Sequence, residues 1–584
     1  MNNNSHDKEY RIPIHWFDRV FNDQLEAYDE LSEEFKPINA EKGWQQFKEN
    51  FGEEKEHLEY RWYEYKGKSV EKDKPAPLII VLCEYFNTVW QYIADSEGLY
   101  IFASEYHRPS YFRPGTTKYG AREIEVDIYK QLIDRFCENN NVDLGRIYYF
   151  GLSYGDITAH TFVSKYKTLF AAAATMNGPM RGARLLQYPL PDDLDIPMLQ
   201  LKADTDYTVD GFFDGLNFDA KGNKKWLKHT RARSVGMIRR LWMKCYHTNS
   251  LPKISTTGDS TYLIYEGGRA PYIYNEIVGR GHMPPVSYAQ VAWDLLFNVY
   301  RRSPDGTVEI IGKSSLRPDD WAIGLAVGKD KAYVCNMVTD LECPSVMLMP
   351  AENTPFEHIL YAEADVTYES FYSSIEILEK GFCINYDIED MKNYSVWFGT
   401  GPHERIELDD KIIRFNYEGK RYEIYTNCSF VNVNGKFIDI KRPVLYVDGN
   451  LMIPIKEYAE MLGKRCSVNN DAAYITDHGM ELGYSTALIM SEEILGGELE
   501  TYYNVLAELA AHGEIIVETG TRIEEGHSVQ VKIVPEEGYL LSTFIPMVRG
   551  LEVPYIRLSE GEYTVHNVFG DLELKAEFKK DWNY

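Results

Sequence analysis

Three residue types, in one order along the chain, could carry out acyl-transfer chemistry. Gly151-Leu152-Ser153-Tyr154-Gly155 sets a serine between two glycines. It follows the β-branched and aromatic run Arg146-Ile147-Tyr148-Tyr149-Phe150 and precedes a segment that reads as helix. A serine on so tight a strand-to-helix turn has its hydroxyl pushed out of the sheet, within reach of a base. Three fixed residues of this kind arise by chance about 0.2 times in a chain of this length, so the flanking strand and helix carry the inference. A carboxylate follows the apolar run Pro197–Leu201, within Lys202-Ala203-Asp204-Thr205-Asp206, and a histidine stands in Gly279-Arg280-Gly281-His282-Met283-Pro284-Pro285. Serine, acid and histidine in that order suit a nucleophile, a base and the group that orients the base. A histidine between glycine and proline has few ways to be a packed core residue. The residues alone leave Asp204 and Asp206 both open as the acid.

The elements that must position these groups are legible as alternating strand and helix. Continuous apolar runs at Leu78–Leu82, Leu99–Ser104, Leu169–Met176, Pro197–Leu201 and Thr261–Tyr265 read as strands buried on both faces. Leu58–Tyr65 alternates like an edge strand. Helical spacing is predicted near Val89–Ser96, over Glu123–Cys137 and from Ser287 to Tyr300. The pattern is α/β, with a parallel sheet covered by helices on both faces. Residues 1–57 are read as a helical arm, with helices at Asp18–Phe35 and Glu41–Phe51.

Asn141-Val142-Asp143-Leu144-Gly145-Arg146-Ile147-Tyr148 leading into the serine motif, then Asn177-Gly178, then Gly281-His282, resembles the polyhydroxybutyrate depolymerase and feruloyl esterase branch of the α/β-hydrolases over residues 58–303. The resemblance implies a Ser153, Asp206, His282 triad. Register against the family's strand-end motif His-Gly-x-x-Asp puts Lys202-Ala203 on the His-Gly and Asp206 on the acid, with Asp204 as the fallback. It also implies an oxyanion hole made by backbone N–H groups, Tyr154 and a second donor at Tyr85. Substrates would be short acyl, hydroxycinnamoyl or hydroxyalkanoate esters, with no metal or organic cofactor. The sequence departs from the family at Cys83-Glu84-Tyr85, where a His-Gly pair is usual, and at Asp156, where a glycine is usual. A carboxylate at Asp156 favours the helix start but adds negative charge near a developing oxyanion. Loss of one oxyanion donor would cost on the order of 3 kcal/mol. Two other readings stay open: a serine peptidase of the same fold, and a hydrolase domain of low or no activity within a bacterial binding or adhesion protein. The aromatic stretch Glu105–Phe112 follows a sheet strand and is a candidate to line the site.

At 584 residues the chain holds several domains, and its net charge of −27 argues against nucleic acid and anionic membrane surfaces as partners. The N-terminus lacks a secretory leader and no stretch is long and apolar enough to span a bilayer. That implies a cytoplasmic protein, or a secreted or cell-surface one if a leader has been removed. The eight cysteines are scattered without zinc spacing, so free thiols are expected; Cys335 and Cys343 are the closest pair for a bridge.

After Arg301-Arg302-Ser303-Pro304-Asp305-Gly306 short alternating strands replace the strand-helix rhythm. Residues 313–405 form a strand-rich region. In 412–480, Phe430-Val431-Asn432-Val433-Asn434-Gly435-Lys436, then Val447–Ile455 and the helix Glu457–Gly463, resemble the accessory module named after the copper amine oxidase N-terminal domain. Lys331–Asn336 and Met347–Ile359 resemble a degenerate earlier copy. A helix is predicted over Ser491–Ala511. Gly513–Val517, Ile523–Val531, Pro535–Tyr539 and Leu572–Phe578 then resemble the internalin-type B-repeat over 512–580, with Tyr539 as a core anchor. Such modules imply contact with polysaccharide or a cell surface.

Overall fold

The computed structural model describes residues 44–47, 58–82, 88–104, 123–178, 190–206, 224–349, 369–391, 395–396, 406–407, 411–497 and 502–581, the last stretch without 526, 549, 554, 566–567 and 569. Two compact units emerge: Met1–Ser250 with Tyr262–Arg317 and Glu500–Tyr584, and Leu251–Thr261 with Pro318–Leu499.

The sheet of the first unit is built from β1 (Trp44–Phe47), β2 (Leu58–Lys66), β3 (Ala76–Leu82), β4 (Tyr100–Ser104), β5 (Val142–Leu152), β6 (Ala172–Met176), β7 (Met198–Ala203), β9 (Ser260–Tyr265) and β10 (Tyr272–Ile277). Strand β8 (Lys253–Thr257) belongs to the second unit. The order is β1-β2-β4-β3-β5-β6-β7-β10-β9. From β4 through β10 the pairs are parallel, whereas β2 runs antiparallel to both of its neighbours. Helices α1 (Thr88–Glu97), α2 (Glu123–Asn139), α3 (Tyr154–Lys165), α4 (Lys224–Tyr246) and α5 (Tyr288–Ala292) connect or cover the strands.

Successive residues of β5 show why its sequence is apolar throughout. Tyr148 stacks on Phe297 at 5.0 Å and Phe150 meets Trp90 of α1 edge-on at 4.8 Å. Between them Tyr149 faces the other way, onto Phe162 of α3 at 5.8 Å. With helices on both faces, every position of β3 is likewise buried, and each such large side chain contributes about 1.5–3 kcal/mol. The order reverses at β3, which has β4 on one side and β5 on the other. Ser153 stands at the carboxyl end of β5, the end at which connections leave β3 and β5 in opposite directions, where ligands of open α/β sheets bind.

Several expectations change. Trp44–Phe47, placed by sequence within a helix over Glu41–Phe51, is a strand paired with β2. Consequently β2 is an interior strand. The helix expected to reach Tyr300 stops at Ala292, passes through a π-helical turn at Trp293–Phe297, and yields to β11 (Tyr300–Arg302), which pairs with β12 (Val308–Ile310). Two elements without a sequence expectation, α4 and β10, complete the sheet's second half. Helix Asp18–Phe35, Cys83–Tyr85 and the Glu105–Phe112 loop lie outside the described residues.

The second unit repeats one pattern twice. Strands β13 (Ala322–Ala326), β14 (Lys331–Val334) and β15 (Met337–Asp340) form an antiparallel meander, followed by β16 (Val346–Leu348), β17 (Ser370–Ser374), α6 (Ile377–Lys380) and β18 (Tyr386–Asp390). A two-residue ladder joins β19 (Ser395–Val396) to β20 (Ile406–Glu407), and β21 (Lys411–Tyr417) follows. The pattern then recurs as β22 (Lys420–Tyr425), β23 (Phe430–Val433), β24 (Lys436–Asp439), β25 (Leu445–Val447), β26 (Asn450–Pro454), α7 (Ile455–Met461), β27 (Arg465–Asn469) and β28 (Ala472–Thr476). Equivalent bridges, Val327 to Ser345 and Thr426 to Val444, mark the correspondence. The halves are interleaved, because the sheets are ordered β15-β14-β13-β28-β27 and β18-β21-β22-β23-β24, each taking two strands from the other half. Their shared core includes Ile323, Phe415, Ile424, Tyr458 and Ile475. Cys335 and Cys343 are free thiols.

Residues 502–581 form two sheets around Val505, Val529, Val531, Ile533, Phe544 and Leu574. Tyr502–Ala507, expected as the end of a helix, is a strand parallel to Leu572–Lys580, and its burial alternates at Tyr503 and Val505, the period-two pattern of a strand. Tyr539 stacks on His512 at 4.0 Å and is only half-buried, so it is no core anchor.

Candidate active site

Ser153 stands between the end of β5 and the first residue of α3, with φ 55° and ψ −109°. A side-chain-bearing residue held there costs about 1–3 kcal/mol and persists only when its surroundings over-determine it. They do so here. The Ser153 amide donates to Met176 O at 2.8 Å, and the Tyr149 hydroxyl donates to Gly155 O. A Cβ at Gly155 would come within 2.6 Å of Leu82 O, and one at Gly178 within 1.8 Å of Ser153 O. Both glycines are therefore needed for close approach of backbone to backbone. Because α3 begins at Tyr154, the amides after the serine belong to the free, electropositive start of a helix.

β7 ends at Ala203 and the chain turns so that Asp206 is fully buried and its Oδ1 lies 3.2 Å from His282 Nδ1. Its other oxygen, Oδ2, accepts from the Lys202 ammonium at 3.2 Å, and that ammonium is itself nearly buried. Asp204 faces elsewhere, its Oδ1 accepting the Gly279 amide at 2.7 Å. Of the two candidate acids, Asp206 is the one whose carboxylate meets the imidazole; Asp204 braces the loop that carries it. Thr205 adds to that brace through its amide and hydroxyl, both donated to Arg280 O. His282 keeps about a quarter of its side chain exposed. The Tyr154 amide occupies the helix start; Tyr85, the other expected oxyanion donor, lies outside the described residues.

Asn177, singled out in sequence only as part of an Asn-Gly pair, joins the site. Its backbone is left-handed at φ 55°, its Nδ2 donates to His282 O at 2.7 Å, and its Oδ1 accepts the Ala203 amide at 2.9 Å. One buried amide side chain thus ties the end of β6 to the end of β7 and to the histidine loop. The available signal was an Asn-Gly pair directly after a buried strand.

Asp156 does not act as the fixed negative charge expected from its place in the motif. It is buried on the first turn of α3, and Oδ2 accepts the Gly178 amide at 2.9 Å. Burial pushes its carboxyl up to about 7, against the opposing pull of the Gly178 hydrogen bond and of Lys202. Below that pH it is mainly the neutral acid. His160, one turn further and packed 5.1 Å from Trp242, is pushed down to about 3 by burial and is neutral. The polar seam continues as Tyr272, whose hydroxyl donates to Gln200 Oε1 at 2.5 Å and whose burial raises it well above the usual phenol range. Among the described residues no group of three His, Cys, Asp or Glu is placed to hold a metal ion, and no helix is long and apolar enough to cross a membrane.

No protein-family profile matches the chain, and no curated protein matches it in sequence. Solved structures similar to it include a thermostable esterase, 17% identical over 40% of this chain and 55% of that one, with a TM-score of 0.24. An acetyl xylan esterase from Aspergillus awamori is 11% identical over 43% of this chain and 97% of that one, with a TM-score of 0.29. An acylaminoacyl peptidase from Pyrococcus horikoshii is 13% identical over 45% and 40%, with a TM-score of 0.26.

Proposed function

We propose that this chain is a serine hydrolase of the α/β-hydrolase type that cleaves carboxylic esters through an acyl-enzyme. The observation that carries the reading is a His282 whose Nδ1 lies 3.2 Å from the buried Asp206, beside a strained Ser153 at the start of α3. In this reading His282 Nδ1–H donates to Asp206, which leaves Nε2 as the base. Nε2 takes the Ser153 proton as Oγ attacks the acyl carbon, then returns it to the departing alcohol oxygen; water repeats the cycle and frees the acid. The oxyanion would be met by the Tyr154 amide, with Tyr85 as the second donor. Short acyl, hydroxycinnamoyl or hydroxyalkanoate groups are the proposed acyl classes. The repeated unit at 318–499 and the β-rich region 502–581 are proposed as accessory modules that hold a polymeric substrate or surface.

Hydrolysis of p-nitrophenyl acetate and butyrate by the protein and by Ser153→Ala tests this. Turnover by the wild type that drops at least 10³-fold in the variant is expected from loss of a nucleophile acting in a triad. Equal inactivity of two folded proteins would refute it.

A further inference from the structure

The Lys202 side chain is a cation inside the sheet, with about 4% of it exposed, one turn of loop away from the residue it contacts. A buried ammonium is costly unless paired. Its paired oxygen is Asp206 Oδ2, the one left over when Oδ1 faces the imidazole. The carboxylate is thus held at both ends, by a fixed cation on one side and by His282 on the other. Among the described residues, other charged or titratable groups near this ammonium include Asp156 from α3, whose carboxyl it influences, and Glu276, its register neighbour on β10, fully buried. Asp206 meets the ammonium directly, at 3.2 Å.

We propose that Lys202 is a positioning residue of this site: its ammonium takes Asp206 Oδ2, locks the rotation of the carboxylate with Oδ1 on His282, and shares the negative charge that would otherwise bear on the imidazole alone. The inference rests on reading Ser153, Asp206 and His282 as one catalytic unit. Two effects of one contact are involved. Rotation is fixed because each carboxylate oxygen has its own donor, which keeps Oδ1 aimed at Nδ1. Charge is shared because a cation beside a carboxylate weakens that carboxylate's hold on a second positive charge, here the imidazolium. A triad acid alone stabilises the imidazolium that forms during reaction; one already bound to a lysine does so less.

The test compares the pH dependence of kcat/KM for p-nitrophenyl butyrate in wild type, Lys202→Met, Lys202→Gln and Lys202→Arg. Methionine removes both the charge and the donor, glutamine removes the charge but keeps a donor, and arginine keeps both. The acidic limb is expected to move up by about 1 pH unit in the methionine and glutamine variants, the low end of what an opposite charge at contact does. With arginine it should stay within a few tenths of the wild-type position. Glutamine also serves where methionine does not fold. The His282 Cε1–H NMR signal, assigned with His282→Gln, reads the same shift without turnover. A wild type that neither hydrolyses ester nor labels with a fluorophosphonate, while its His282 signal still moves with Lys202→Gln, would refute the triad reading and leave the charge coupling standing. A limb and an NMR signal that stay put in folded Lys202→Gln, or that move equally in Lys202→Arg, would overturn the proposal and make Lys202 a packing residue.

Discussion

Replacing Asp156 with asparagine exchanges a buried carboxyl for an amide of nearly the same shape, and its effect on stability depends on pH in a way no packing change would imitate. In the folded protein the carboxyl titrates at about 7 against an ordinary value of 3.8, because burial penalises the charged form. Between those two values the unfolded chain has lost the proton and the folded one still holds it. The folded state binds more protons, so stability falls as pH rises through this window. Three units at 1.36 kcal/mol each give on the order of 4 kcal/mol, fully expressed above pH 7 and absent below pH 4. Asparagine keeps an acceptor for the Gly178 amide, now at 2.9 Å from Oδ2, and has no proton to lose. His160 runs the opposite way: pushed down to about 3, it contributes stability that is present above the unfolded value of 6.5 and lost as pH falls toward 3. The two slopes nearly cancel in the wild type between pH 4 and 6.5, so a wild-type melting curve alone would show little. The difference between variant and wild type removes His160, which both share. Thermal melts of both proteins at half-unit steps from pH 4.5 to 8 should show the variant gaining with pH, to roughly 10 °C above wild type in the transition of the first unit by pH 8. A difference that is flat with pH, or that grows toward acid, would refute the account of Asp156 as a neutral buried acid.

Asn177→Ala should leave the Ala203 amide unpaired and free the His282 backbone, at about 1–3 kcal/mol, with a further loss of about 1 kcal/mol for a Cβ without compensation at φ 55°. Its kcat/KM should fall more than tenfold; Asn177→Gly should recover the backbone part of the stability, read by denaturant melts, but not the activity. Residues 412–480 expressed alone should not give a folded monomer, because β27 and β28 complete a sheet on β13, and the sheet of β21–β24 is continued by β18. Light scattering should find a dimer or larger species, and residues 318–499 together should be monomeric; a folded monomer of the short piece would disprove the interleaving.

How much of this was legible in the chain depended on how local the physics is. A strand buried on both faces is apolar along most of its length, so β3, β5, β6 and β7 stand out as runs, and the glycines around Ser153 mark β5 as ending in a strained turn. Strand β10, Tyr-Ile-Tyr-Asn-Glu-Ile, does not stand out because it carries polar groups among its apolar ones, of which Tyr272 finds its partner in Gln200 of β7. Tyr502–Ala507 was misread as helix because its alternation is too short to outweigh the helix-forming residues around it. Lys202 looked like a register mark in a motif, since nothing in a sequence tells where a lysine's ammonium ends.

The sequence by itself determined the order of serine, acid and histidine, the alternation of strand and helix that builds a sheet beneath them, and the turn that lifts Ser153, because backbone sterics and hydrophobic period act over a few residues. Only the tertiary structure decided which aspartate meets His282, that Asn177 locks the histidine loop, that Lys202 shares the Asp206 carboxylate, and that the strands of the second unit exchange between halves. Apart from the Lys202–Asp206 contact, 4 positions apart, those outcomes join residues 26 to 154 positions apart. They follow from burial, which makes a polar group's partner a matter of survival in a low-dielectric interior, and from packing that chooses the partner only once the chain has closed.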